Sequence, residues 1–145
     1  MPNTFDRSAT QIDFFADLEA NVAAALAEDL GAGDATATLI PAARTASATV
    51  LVRETAVLCG QRWFAAVYAA IDPALRSVWQ QQDGDRLAMN DVVCTIHGNA
   101  RAIVSGERAA LNFLQTLSGT ASATRVYADA LTGTATRLLD TRKTI

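Results

Sequence analysis

Lysine is almost missing from this chain. Of twelve cationic residues in 145, eleven are arginine, and the single lysine is Lys143. Histidine is as scarce: His97 stands alone, with no Ser, Cys or second His spaced for catalysis, so a strand-end histidine is expected rather than a Ser/His/Asp or Cys/His nucleophilic site. The two cysteines, Cys59 and Cys94, lie far apart, form no CxxC and have no partner histidine for a metal site, so reduced thiols packed as small apolar residues fit better. No uncharged apolar run reaches the roughly 18 residues a membrane helix needs. The opening "MPNTFDRSATQIDFFADLEA" holds acids where a secretory signal needs an apolar stretch, so a cytoplasmic location is expected. Positive charge is also short: the net charge is −3, leaving the chain no electrostatic footprint for nucleic acid.

What is present is a sequence 50% hydrophobic and 19% charged, enough for one core, or for one domain and the start of another. Ile12, Phe15, Leu18, Val22, Leu26 and Leu30 recur every three or four residues and predict an amphipathic helix over 12–30, stopped by Gly31. Asp34 caps or turns the loop "GAGDATATLIP" that follows. The β-branched stretch 46–54 predicts a strand with Ala48, Val50 and Val52 on one face, and a helix over 61–71 ends at Asp72-Pro73. Two further strands are expected over 75–81 and 92–97, with a turn at Asp83-Gly84. Ser105 is placed to cap a long helix reaching about Thr132, disturbed near Ser118-Gly119 and stopped by Gly133; a buried strand over 135–139 follows. This order predicts an α+β fold: a sandwich, then a helix and strand opening a parallel α/β unit.

Two places are suited to chemistry. On the long helix, Ala110, Leu114, Leu117 and Ala121 share the core face, flanked by Leu111 and Phe113. Opposite lie Arg108, Asn112, Gln115, Gly119 and Ser122: one charge, then only neutral polar or small residues. Such a stripe is either an ordinary solvated face or a surface turned toward a ligand or another protein. At the chain end, "LLDTRKTI" delivers Asp140, Thr141, Arg142 and Lys143 together. A strand terminus bearing a hydroxyl and two cations is well made for an anion, unless it is a solvated end; Asp140 either steadies a cation or is a plain strand-end acid. Glu28, Asp29 and Asp34 suggest a divalent metal, but Glu28 and Asp29 are adjacent and diverge on a helix, which favours capping and turn roles. "DGDRLAMNDVVCTI" is similar to the hairpin of biotinyl and lipoyl carrier domains. It lacks the lysine such a hairpin carries at its tip, where Asp83-Gly84 or Asn90-Asp91 stands instead.

The runs "EDLGAGDATATLIP", "AVLCG", "GERAALNFLQTLSGTASATRVYADAL" and "RLLDTRKTI", in this order, resemble the N-terminal part of quinolinate phosphoribosyltransferases, the carboxylating nicotinate-nucleotide pyrophosphorylases, from about Leu18 onward. The resemblance implies a hammerhead-like α/β sandwich over 1–111, its ordered core about 12–111. Residues 112–145 would be the first helix and strand of a truncated α/β barrel. It implies a glycosyltransferase (pentosyltransferase) of NAD biosynthesis that joins quinolinate to 5-phosphoribosyl 1-pyrophosphate, releasing pyrophosphate and carbon dioxide and giving nicotinate mononucleotide. Magnesium would travel with the pyrophosphate, on ligands largely outside this segment. Substrate-binding roles carry over to Arg108, which would reach the neighbouring subunit of a homodimer, and to Thr141, Arg142 and Lys143 in the chain's own cavity. No catalytic residue or metal ligand carries over with certainty, and the 145 residues alone are expected to be inactive. The alternatives are a stand-alone hammerhead-like module for binding or dimerisation, and the related phosphoribosyltransferase-like protein associated with molybdenum transport.

Overall fold

In the computed structural model the described residues are 13, 15–31 and 33–139. Ile12 and the anion-binding candidates Thr141, Arg142 and Lys143, with Asp140, lie outside them.

Helix α1 spans Leu18–Leu30 and buries Val22, with Leu18 and Leu26 packed beside it. It begins later than the apolar spacing predicts. The Asp13 carboxylate accepts the Phe15 N–H at 2.9 Å, a local turn that competes with helix formation. The Phe15 ring instead lies against the Arg62 guanidinium, 3.7 Å from the ring centre. Gly31 stops the helix with φ 49°, its N–H returning to the Ala27 carbonyl. A 3-10 turn over Ala37–Leu39 leads to strand β1, Thr45–Leu51, and a short β2, Ala56–Val57.

Helix α2 covers Gln61–Ile71, the span predicted, and buries Phe64, Val67 and Tyr68. Strands β3 (Arg76–Trp79), β4 (Arg86–Leu87) and β5 (Val92–Asn99) follow. β5 is central in an antiparallel sheet of order β1-β5-β3, and β2 pairs with β4. Val93, Cys94 and Ile96 of β5 are buried and form the core with Phe64, Val67 and Leu58. Burial pushes the Cys94 thiol up to about 12 and raises that of Cys59 as well; both cysteines are free, as packed apolar residues should be.

Helix α3 runs unbroken over Ala100–Ala130. Its cap is Asn99, not Ser105: the Asn99 side chain accepts from the N–H groups of Arg101 (3.0 Å) and Ala102 (3.2 Å), so the helix starts five residues before the expected cap. The predicted disturbance at Ser118-Gly119 does not occur. The Ser118 hydroxyl turns aside to bond the Cys59 backbone, receiving its N–H at 3.0 Å and donating to its carbonyl at 3.1 Å. Residue 111, where a domain division was expected, lies within this helix. Ala110 and Leu114 are buried and Leu117 half-buried, as the predicted core face requires, but from Ala123 to Ala130 every residue is exposed. The terminal strand is not formed over 135–139. A strand exists through a neighbour's N–H and C=O groups, and no described residue offers 135–139 such a partner; Leu139 is 78% exposed.

Candidate functional site

The fold brings the end of α1 and the loop after it onto the cap and first three turns of α3, where Arg108 sits. Four side chains of α3 and its cap make contacts that fix them there. The Asn99 amide donates to the Ala42 carbonyl at 2.7 Å, and Arg101 Nε to the Ile40 carbonyl at 2.5 Å. Asp34 accepts the Ala37 N–H at 3.0 Å on one oxygen and the Ser105 hydroxyl at 2.8 Å on the other. The backbone bond from Ala37, then the Ser105 hydroxyl, with Arg108 nearby, hold the Asp34 carboxyl below its ordinary value. The capping role predicted for Asp34 is therefore observed, with a tether to α3 added.

The fourth contact is the ion pair between Arg108 Nη1 and Asp29 Oδ1, 3.0 Å apart. The Asp29 side chain is 11% exposed and that of Arg108 77%. Asp29 is the penultimate residue of α1, where the helix dipole disfavours a carboxylate by about 0.3–1 kcal/mol. A pair whose cation faces solvent contributes about 0–1 kcal/mol. Asp29 therefore adds little net stability, and its main effect is on where the guanidinium stands.

Of the polar stripe, Arg108, Asn112, Gln115 and Gly119 are exposed, which suits an ordinary solvated face as well as one turned toward a ligand or a second surface. Ser122 does not belong to it. Its hydroxyl donates to the Ser118 carbonyl at 2.7 Å and accepts the Val57 N–H at 2.8 Å, an inward role against β2. Beside the stripe an open cleft of about 430 Å³ lies between α1, α2 and α3, lined by Glu28, Asp29, Trp63, Asn112 and Phe113 among others. Two carboxylates on its wall make this cleft unsuited to a dianion by itself. His97, at the end of β5, faces the exposed side of the sheet, its Nδ1 2.7 Å from the Ser47 hydroxyl on β1, and no carboxylate among the described residues orients it.

Of the sequence-predicted substrate-binding residues, the described structure thus places Arg108 alone. Asp29, Arg101 and Ser105 were missed as its supports: their contacts span 61 to 79 positions, beyond the reach of any local spacing. Among the described residues no group of three or more His, Cys, Asp or Glu side chains converges as a metal site, and no helix is long and apolar enough to cross a membrane. Asp29 and Asp34 are already engaged by Arg108 and by Ala37 with Ser105, so the acids once considered for a metal do not fit one.

The profile of the family described as "Quinolinate phosphoribosyl transferase, N-terminal domain" matches residues 34–118. A probable carboxylating nicotinate-nucleotide pyrophosphorylase of Bacillus subtilis is 33% identical over 117 residues, covering 81% of this chain and 40% of that protein. The chloroplastic carboxylating enzyme of Arabidopsis thaliana is 37% identical over 130 residues, 88% of this chain and 37% of that one. The solved structure of NadC from Streptococcus pyogenes superposes with a TM-score of 0.86 at 35% identity, over 94% of this chain and 49% of that chain. This chain spans less than half the length of each of these relatives. With a profile matched over more than half its residues, and its fold shared with NadC at that identity, the chain belongs to the quinolinate phosphoribosyl transferase family and carries that family's N-terminal domain.

Proposed function

We propose that this chain is the N-terminal part of a carboxylating nicotinate-nucleotide pyrophosphorylase. The enzyme would couple quinolinate to 5-phosphoribosyl 1-pyrophosphate, forming nicotinate mononucleotide, pyrophosphate and carbon dioxide. The observation that carries this reading is Arg108: an exposed guanidinium, tethered by an acid on its own chain, on a helix face of otherwise neutral polar residues. Quinolinate is a dianion, and each carboxylate removed from water without a partner costs several kcal/mol, so its pocket must gather cations. In this reading Arg108 grips one carboxylate in the neighbouring subunit of a homodimer, while Thr141, Arg142 and Lys143 of that subunit line the same cavity. Residues 112–145 open the second domain, and the enzyme acts in the cytoplasm.

The chemistry asks these residues for position and fixed charge rather than for a nucleophile. The pyridine nitrogen attacks the sugar C1 as pyrophosphate leaves with its magnesium, which enters as part of the donor substrate. The C2 carboxylate then departs as carbon dioxide. Its bonding pair stays on ring C2, where the charge of the adjacent cationic nitrogen stabilises it until a proton takes the place of the lost group. Arginine suits the carboxylate for its planar fork, and lysine suits a phosphate as a compact point charge. In a full-length polypeptide carrying this segment, Arg108→Ala should cost quinolinate use about 2–5 kcal/mol while use of the phosphoribosyl donor changes little. Steady-state kinetics with each substrate varied in turn checks this, and equal losses for both would refute the role given to Arg108.

A further inference from the structure

Glu28 and Asp29, in the last turn of α1, place carboxylates where the helix dipole disfavours them, and no basic residue of that turn offsets either. Glu28 is exposed, whereas the Asp29 side chain is largely covered and meets the Arg108 guanidinium at Nη1. Among the described residues the Nε and Nη2 edge of Arg108 meets no acid, and the side chain is mostly exposed. A guanidinium can receive a carboxylate on its Nε and Nη2 edge, and an acid that draws Nη1 toward α1 leaves that edge open for a second, bidentate carboxylate. The segment that carries Asp29 is itself pinned, since Asp34 bonds Ser105 one turn before Arg108.

We propose that Asp29 is a positioning residue for the substrate: its charge draws Nη1 of Arg108 toward the end of α1 and leaves the Nε and Nη2 edge to a carboxylate of the pyridine acid. The proposal rests on the reading that Arg108 receives that carboxylate. Asp29 touches no substrate and acts only through Arg108. A free arginine loses side-chain freedom on gripping its ligand, and Asp29 removes much of that loss beforehand.

The test is a double-mutant cycle in a full-length polypeptide carrying this segment, with Asp29→Asn, Arg108→Ala and the pair. Asp29→Asn should raise the KM for quinolinate about tenfold, leave the KM for the phosphoribosyl donor unchanged, and have no further effect once Arg108 is alanine. Asp29→Glu, which keeps the charge, should recover part of the loss. If Arg108→Ala leaves the quinolinate KM unchanged, the reading of Arg108 itself fails. If Arg108→Ala raises it and Asp29→Asn does not, or lowers it, Asp29 does not position Arg108 and the proposal is overturned. An equal loss from Asp29→Asn with and without Arg108 assigns Asp29 a merely structural role, which also overturns it. Should Asp29→Asn not fold, Asp29→Ser replaces it in the same cycle, with the same outcomes.

Discussion

Replacing Gly106 by alanine should destabilise the domain, whereas the same change at Gly119, on the same helix, should stabilise it. Gly106 is buried where α3 crosses α2, two residues before Arg108. A methyl group there would lie 2.7 Å from Tyr68 Cε1, 2.9 Å from Tyr68 Cδ1 and 3.0 Å from Ile71 Cδ1, well inside the ~3.5–4.0 Å at which carbons attract. The ring cannot easily retreat. It is buried, stands edge-on to Phe64 with centroids 5.1 Å apart, and donates its hydroxyl to the Ile103 carbonyl at 3.4 Å. Alanine gains about 1 kcal/mol of helix propensity over glycine, but forcing a methyl group into a packed site costs about 1–3 kcal/mol. The net expectation for Gly106→Ala is a loss of about 1 kcal/mol. Gly119 is exposed and an added methyl meets nothing within 4 Å, so only the propensity gain remains, about 0.5–1 kcal/mol. Urea denaturation followed by far-UV circular dichroism should place the two midpoints on opposite sides of the wild type at unchanged slope. A Gly106→Ala protein stabilised as much as Gly119→Ala would refute the packing argument.

The remaining predictions concern the cap and the tether. Asn99→Ala removes the acceptor for two helix N–H groups and the donor to Ala42, and should lower stability by about 1–2 kcal/mol in the same titration. Asp34 has its carboxyl held below the ordinary 3.8, so it contributes stability that is fully present above that pH and fades as pH falls through the lower, folded-state value. The melting-temperature difference between wild type and Asp34→Asn should therefore be constant near neutrality and shrink below about pH 4. A difference that grows on acidification would contradict the bonds assigned to Asp34.

Much of this fold was legible where a local signal stood unopposed. Helix α2 has its predicted limits because Gly60 precedes it in a left-handed conformation, φ 115°, and Asp72-Pro73 cannot continue it. Where two local signals competed, tertiary contact decided. Asn99 and Ser105 are both good caps, and Ser105 lost because its hydroxyl found Asp34 on a loop 71 residues away. The start of α1 yielded likewise to the turn made by Asp13. In the site, Arg108 was legible as the lone charge of a polar stripe. Ser122, about 40° around the helix from Arg108 at 100° per residue, fell on the inward edge beside Ser118. Asp29 was not legible, because adjacency to Glu28 says only that the two side chains diverge, not that one of them meets an arginine far along the chain. The strand expected over 135–139 failed for a related reason: its apolar character is local, but strand formation belongs to a neighbour.

In the proposed reading one substrate site takes Arg108 from one subunit and Lys143 from the other, and mixed dimers test it most directly. At quinolinate concentrations where full-length Arg108→Ala and Lys143→Ala subunits are each strongly impaired alone, the two should regain about one quarter of wild-type activity when refolded together in equal amounts. Half of the dimers are then mixed, and each mixed dimer of a two-fold pair contains one intact site. Activity that stays at the level of the separate variants would contradict a site shared between subunits.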